Sequence, residues 1–236
     1  MSWDLRQVKV ILFDAGDTLF QVKGGVGAVY AEVARRSGVH VEPSLIQRRF
    51  FSLWGKMPPL VFPGASSRDL PRLERAWWRG LVAGVFEGVA FADFDRFFDA
   101  VYAEFEGETG WELFPETKET LRHLKGAGYR LGIVSNFDSR LFTICERLGI
   151  QGFFDSIITS TDVGVAKPQP LIFRKALDRF GVAAPESAFV GDSPAHDLAG
   201  ARTVGMVPVL VDRSGRLPGE PGIRIESLEP LIGLFP

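Results

Sequence analysis

Residues Val8 to Leu19 read Val-Lys-Val-Ile-Leu-Phe-Asp-Ala-Gly-Asp-Thr-Leu (VKVILFDAGDTL), an apolar run that turns abruptly into a loop carrying Asp14 and Asp17. A nearly unbroken β-favouring run predicts a central parallel strand covered on both faces, because an alternating strand would show a polar side. Downstream, the pattern recurs. A helix is expected from Pro115 to Gly126–Gly128, a strand from Tyr129 to Val134, and a helix from Asp138 with Leu141, Cys145 and Leu148 inward. A strand near Phe154 to Thr159 follows, then a helix from Pro170 to Gly181 with Phe173, Ala176, Leu177 and Phe180 inward. Ser187 to Val190, a helix starting at Ser193 and Pro194, and Met206 to Val211 continue the series, with a surface loop expected from Ser214 to Gly222. Strand-helix units on short connections predict an α/β protein with a Rossmann-like parallel sheet and helices on both faces.

The stretch from Gly24 to Gly110 breaks the alternation. Leu70, Leu73, Trp77, Leu81 and Val85 recur at helical spacing, as do Phe94, Phe97, Phe98, Val101 and Phe105, and no buried strand is evident. The expected organisation is therefore a core domain of residues 1–20 and 112–236, with residues 21–111 forming an inserted all-helical domain. The chain of 236 residues is 46% apolar and carries a net charge of −2, a balance that gives no basic footprint for nucleic acid. No stretch approaches the ~20 apolar residues that span a bilayer. The first residues read as a strand and not as a signal peptide. One cysteine, Cys145, excludes an internal disulfide and a cysteine-based metal centre, which suits a cytoplasmic protein.

In such sheets ligands sit beyond the carboxyl ends of the strands, where this chain places Asp14 with Asp17 and Thr18, Ser135 with Asn136, Lys167 with Pro168, and Asp192 with Asp197. Taken singly, each has a plain structural reading as a helix cap or turn residue. Their order is more specific. FDAGDTL, IVSN, AKP and VGDSPAHDLAGARTVGM (Phe13–Leu19, Ile133–Asn136, Ala166–Pro168 and Val190–Met206) resemble the four ordered motifs of the haloacid dehalogenase-like hydrolases, and the helical insertion sits where that superfamily places its first type of cap domain.

The resemblance implies a phosphatase of small phosphorylated metabolites, with Asp14 as nucleophile and an aspartyl-phosphate intermediate. A carboxylate there divides one hard displacement into two easier ones, and phosphoryl transfer is mainly positioning and charge neutralisation. By the same resemblance Asp14, Asp192 and the Gly16 backbone carbonyl hold Mg²⁺, with Asp197 behind the metal or on it. Lys167 supplies the second positive charge, Ser135 a hydroxyl donor, and Asn136 and Thr18 further substrate contacts. Carboxylates crowded at one strand edge are costly without a counter-ion, which a cation relieves. The assembly state is expected to be a monomer or a homodimer.

The chain departs from the pattern at Gly16, where phosphatases of this superfamily usually carry the aspartate that is acid and then base. Asp17 follows it, as if acid and glycine were exchanged, an arrangement similar to the rhythmically expressed gene 2-like proteins. Either Asp17 reaches the leaving group, or the protein lacks its own acid/base and is a weakly active or non-catalytic binder of a phosphorylated ligand or a protein. The superfamily's 2-haloacid dehalogenases and phosphonate hydrolases also lack that second acid. The paired acids Asp192 and Asp197 argue against the first, and a cap offering only Lys23 and Lys56 argues against the second. Lys23 is read as a solvated hinge residue, and His196 as an exposed first-turn histidine. Phe20, Trp54, Trp77, Trp78 and Phe98 are read as core more than as substrate platform. His40 and His123 carry no signal, and Cys145 fills a helix core.

Overall fold

The computed structural model describes residues 3–107, 110–217 and 222–236. In chain order they form β1 (Val10–Phe13), β2 (Phe20–Val22), α1 (Val26–Arg36), α2 (Pro43–Trp54), α3 (Leu70–Val85), α4 (Phe94–Glu104), β3 (Trp111–Leu113), α5 (Thr117–Gly126), β4 (Arg130–Ser135) and α6 (Arg140–Arg147). There follow β5 (Ser156–Thr159), α7 (Ser160–Val163), α8 (Pro170–Phe180), β6 (Ser187–Gly191), a π-helical turn over Pro194–Leu198 that runs into α9 (Ala199–Val204), β7 (Val207–Val211), β8 (Ile223–Ile225) and α10 (Leu231–Leu234).

Six strands form one parallel sheet in the order β5-β4-β1-β6-β7-β8. β1 lies inside it, and all four of its side chains are 0% exposed. Ile11 and Phe13 point to a layer with Leu121 and Leu124 of α5 and Leu141 and Cys145 of α6. Val10 and Leu12 point to the opposite layer, with Phe173 and Phe180 of α8 and Ala201 of α9. That two-sided burial is why the run is unbroken, and each such side chain contributes about 1.5–3 kcal/mol. The Rossmann-like core with helices on both faces is as the alternation predicted.

Several local expectations shift. α5 begins at Thr117 and not at Pro115, because Phe114 to Thr117 first closes a turn in which the Thr117 N–H donates to the Phe114 carbonyl at 3.0 Å. β8 pairs in parallel with β7 and lay unread in the sequence. Its three residues are too short for a period. Of the expected loop from Ser214 to Gly222, residues 218–221 lie outside the described residues, while Ser214 to Arg216 are exposed.

Helices α1 to α4 enclose a second, aromatic-rich core of Tyr30, Phe86, Phe97, Phe98 and Phe105. The chain enters and leaves them through β2 and β3, which pair antiparallel with Phe20 opposite Leu113 and Val22 opposite Trp111. Trp111 packs edge-on against Phe20 at 5.2 Å and against Phe105 at 5.7 Å, touching both layers.

A polar seam ties α3 to the sheet domain. Glu74 is fully buried and its carboxylate accepts from the Ser139 N–H at 3.1 Å and from the Ser139 hydroxyl. One turn on, the Trp78 indole N–H donates to Asp138, which also holds the Arg140 guanidinium. Truncating Glu74→Ala removes the buried carboxylate that accepts both Ser139 hydrogen bonds and is expected to cost about 1–3 kcal/mol, read as a lowered urea midpoint at an unchanged slope.

Candidate active site

Parallel register assembles the site. Phe13 pairs with Ile133 on one side and Val190 on the other, so one residue further Asp14 lies level with Val134 and Gly191, and Ser135 and Asp192 flank it just beyond. The Asp14 N–H donates to the Val190 carbonyl at 2.9 Å, continuing the ladder by one residue. Asp14, Asp192 and Asp197 each bring one oxygen within 4.8 Å of the others.

Lys167 arrives on the segment between α7 and α8, and its Nζ lies 2.7 Å from Asp14 Oδ1 and 2.6 Å from Asp197 Oδ1. Its segment is clamped by Asn136, whose amide nitrogen donates to the Lys167 carbonyl at 3.0 Å while its amide oxygen accepts from the Lys167 N–H at 2.7 Å. Burial alone would lower the Lys167 pKa. Asp14 and Asp197 outweigh it and raise the value, so the ammonium stays charged at neutral pH.

Asp197 is fully buried, and both of its oxygens are committed, one to Lys167 and the other to the Ser193 N–H at 2.9 Å. The Ser193 hydroxyl accepts from the His196 N–H and caps the π-helical turn that follows β6, and the Asp197 side chain folds back over Gly191. A Cβ on Gly191 would meet that carboxylate at 2.4 Å, so only glycine admits it. Burial pushes the Asp192 pKa up, and Asp14, Asp197 and Asp17 push it further, to about 8. One ammonium does not balance these carboxylates. Hard oxygen donors with an electrostatic deficit fit a small divalent cation.

The expected substrate contacts are placed differently. Thr18 is fully buried and absent from the cavity wall, its hydroxyl donating to Asp192 Oδ1 at 3.2 Å, so it orients a carboxylate instead of touching a substrate. Asn136 borders the cavity, but its side chain is spent on Lys167. Ser135 and Gly16 line the cavity, as do Asp14, Lys167 and Asp192. Asp17 also lines it, in a left-handed backbone conformation (φ 57°) that is uncommon for a side chain bearing a Cβ. Partial desolvation and then Asp14 raise its pKa, while Arg213 opposes them.

Arg213 was not foreseen. Its guanidinium donates to the Thr18 carbonyl at 2.9 Å and to Glu116 at 2.7 Å, bracing the Asp14 to Thr18 loop. No local signal marks an arginine two residues past β7 for that work. Of the aromatics read as core, Phe20 and Phe98 are buried, whereas Trp54 remains 40% exposed and walls the cavity together with Trp78 and Phe98. His40, His123 and His196 are exposed, and Cys145 is buried with its thiol pushed up to about 12 by desolvation.

A doubly wound sheet with chemistry at its strand tips defines a Rossmann-like enzyme, here one built around carboxylates and a buried lysine. A family model of the haloacid dehalogenase-like hydrolases matches residues 8–205, and the chain belongs to that family. It is 33% identical over 211 residues to the zebrafish (Danio rerio) haloacid dehalogenase-like hydrolase domain-containing protein 3, covering 87% of this chain and 86% of that protein. It is 31% identical over 236 residues to a phosphoserine phosphatase of Thermus thermophilus, covering 91% and 92% of the two chains. A crystal structure of a phosphatase of this family from Thermococcus onnurineus superimposes with a TM-score of 0.68 at 25% identity, over 96% of this chain and 97% of the other. No helix among the described residues is long and apolar enough to cross a membrane.

Proposed function

We propose that this chain is a magnesium-dependent phosphomonoesterase acting on a phosphorylated small molecule through an aspartyl phosphate at Asp14. The observation that carries the reading is the placement of Asp14, open to a cavity, against a charged and buried lysine and with an oxygen within 4.8 Å of one from Asp192. Phosphatases among the relatives support the same class.

Lys167 holds Oδ1 of Asp14, leaving Oδ2 to attack phosphorus in line with the departing ester oxygen. The Oδ2–P bond forms as the P–O ester bond breaks, and water then cleaves the acyl phosphate to release inorganic phosphate and restore the carboxylate. Ser135 and Lys167 face the phosphoryl oxygens and offset their charge. Asp14, Asp192 and the Gly16 carbonyl would hold the magnesium, which neutralises phosphoryl charge when bound. Asp197 holds Lys167 upright, with both of its own oxygens occupied.

Gly16 brings no acid to the leaving oxygen, and the Asp17 side chain is fixed by no hydrogen bond among the described residues, so the leaving oxygen draws its proton from solvent. Gly16 lies outside the left-handed backbone region, and a Cβ built there meets nothing within 4 Å. Gly16→Asp is therefore expected to fold and to raise kcat on an alkyl phosphate by about tenfold to 10²-fold, toward the lower end of what a placed general acid contributes. The rise on an aryl phosphate should be smaller, because a phenolate leaves without help. Comparing kcat for the two esters checks it.

The direct test is phosphate release from a panel of phosphorylated metabolites, with a haloacid and a phosphonate included, with magnesium and again with chelator. Magnesium-dependent phosphate release from monoesters supports the reading, and halide release without metal would replace it.

A further inference from the structure

The cavity over Asp14 has a volume of about 700 Å³, far more than a phosphoryl group occupies. Beyond the carboxylates its walls are rings: Tyr30, Phe50, Trp54, Trp78, Phe98 and Tyr102. Trp54 stacks on Phe50 at 5.6 Å with 16° between planes and tilts by 32° against Trp78, also at 5.6 Å. These rings are not closed off as core. Trp54 keeps 40% of its surface exposed, and Phe51, on the same helix and the same cavity wall, keeps 58%.

Charge narrows what such a wall accepts. Away from the Asp14 cluster, the charged side chains on the described wall are Arg140 and Glu112. Arg140 already has a counter-ion: Asp138 accepts from its Nε at 3.0 Å and its Nη2 at 2.6 Å, and it lies over the rings of Trp78 at 4.8 Å and Tyr102 at 4.2 Å. Glu112 accepts from the Gln21 amide at 2.9 Å. Away from the Asp14 cluster the one wall cation is thus already balanced by a carboxylate, and a second anionic group there would face more acids than bases.

Resting on the proposed hydrolysis, we infer that the substrates are phosphomonoesters of hydroxylated aromatic compounds, with the ring seated against Trp54 and Trp78. Gly16 agrees with this independently, since it supplies no acid. A phenolic oxygen, with a pKa of about 10, keeps the bonding electron pair as the P–O bond breaks and takes its proton from water afterwards. The products are the free phenol and, after water cleaves the Asp14 acyl phosphate, inorganic phosphate.

The test compares 1-naphthyl phosphate with phosphoserine and glycerol phosphate on the magnesium-loaded protein. The expected result is a kcat/KM for 1-naphthyl phosphate at least about 10²-fold above both others. Trp54→Ala should raise the KM for that ester about tenfold, the fold-change that about 1.4 kcal/mol of lost ring stacking converts to, with Trp54→Phe close to the parent. Inhibition by inorganic phosphate should keep its parent value in Trp54→Ala, since no ring touches that ion. Equal or better use of phosphoserine, with no response to Trp54→Ala, overturns the inference and leaves the hydrolase reading standing. Should no phosphate ester be turned over in an Asp14-dependent way, the hydrolase reading falls. Titration with 1-naphthylmethylphosphonate, read by tryptophan fluorescence, then decides the cavity by itself. Saturable quenching that weakens in Trp54→Ala sustains the ring site, and no quenching overturns it.

Discussion

Asp14→Asn is expected to abolish phosphate release, by about 10⁴–10⁶-fold in kcat, while leaving the fold intact. The size follows from its position: an amide at the tip of β1 cannot form the acyl phosphate, and neither carboxylate that shares its cluster stands where it does. Asp197 has both oxygens bound, and Asp192 is held by Thr18. Stability should move the other way or not at all. Removing one charge from a cluster that already pushes up the Asp192 pKa relieves repulsion, and the amide oxygen of the substituted side chain still accepts from Lys167. The unfolding free energy should therefore stay within about 1 kcal/mol of the parent. Two measurements check this, phosphate release and a urea melt without metal. Trapping with hydroxylamine should mark Asp14 in the parent and nothing in the variant. Residual turnover within tenfold of the parent would remove Asp14 from the chemistry.

Lys167→Met carries the second large effect, and it falls on stability and activity together. The ammonium is 1% exposed at its side chain and lies between two carboxylates, at 2.7 and 2.6 Å. Breaking a buried pair by removing one partner leaves an uncompensated charge and costs about 3–5 kcal/mol. Loss of a charged group aimed at the phosphoryl oxygens adds a drop of about 10²–10³-fold in kcat. The two losses are separable. In Lys167→Met/Asp197→Asn both members of the buried pair are neutral, so most of the stability should return while turnover stays low. Calorimetric melts and phosphate release on the parent and the two variants give the answer, and a double variant that recovers turnover would show that Lys167 serves only to balance Asp197.

Much of the architecture was legible because burial leaves a one-dimensional trace. Val10 to Phe13 read as a central strand since both faces are covered, and Leu141 and Cys145 fell on one helical face for the same reason. The strand tips were legible too, because a parallel sheet exposes them in sequence order at Asp14, Ser135 and Asp192. What escaped was short or shared between distant segments. β2, β3 and β8 hold three residues each, below any readable period. Glu74 looks like an ordinary exposed helix acid until Ser139, 65 residues away, is laid against it.

From its residues alone this chain declared a parallel α/β frame, a helical insertion and a carboxylate at the tip of the first strand, since periodicity and side-chain chemistry are local properties. The folded structure decided what each polar group does. Asn136 and Thr18, equivalent in the sequence to substrate contacts, spend their side chains on Lys167 and Asp192, and Trp54 leaves the core for a cavity wall. Hydrogen bonds and burial between segments far apart in the chain are set by three-dimensional register, and that information belongs to no single stretch of sequence.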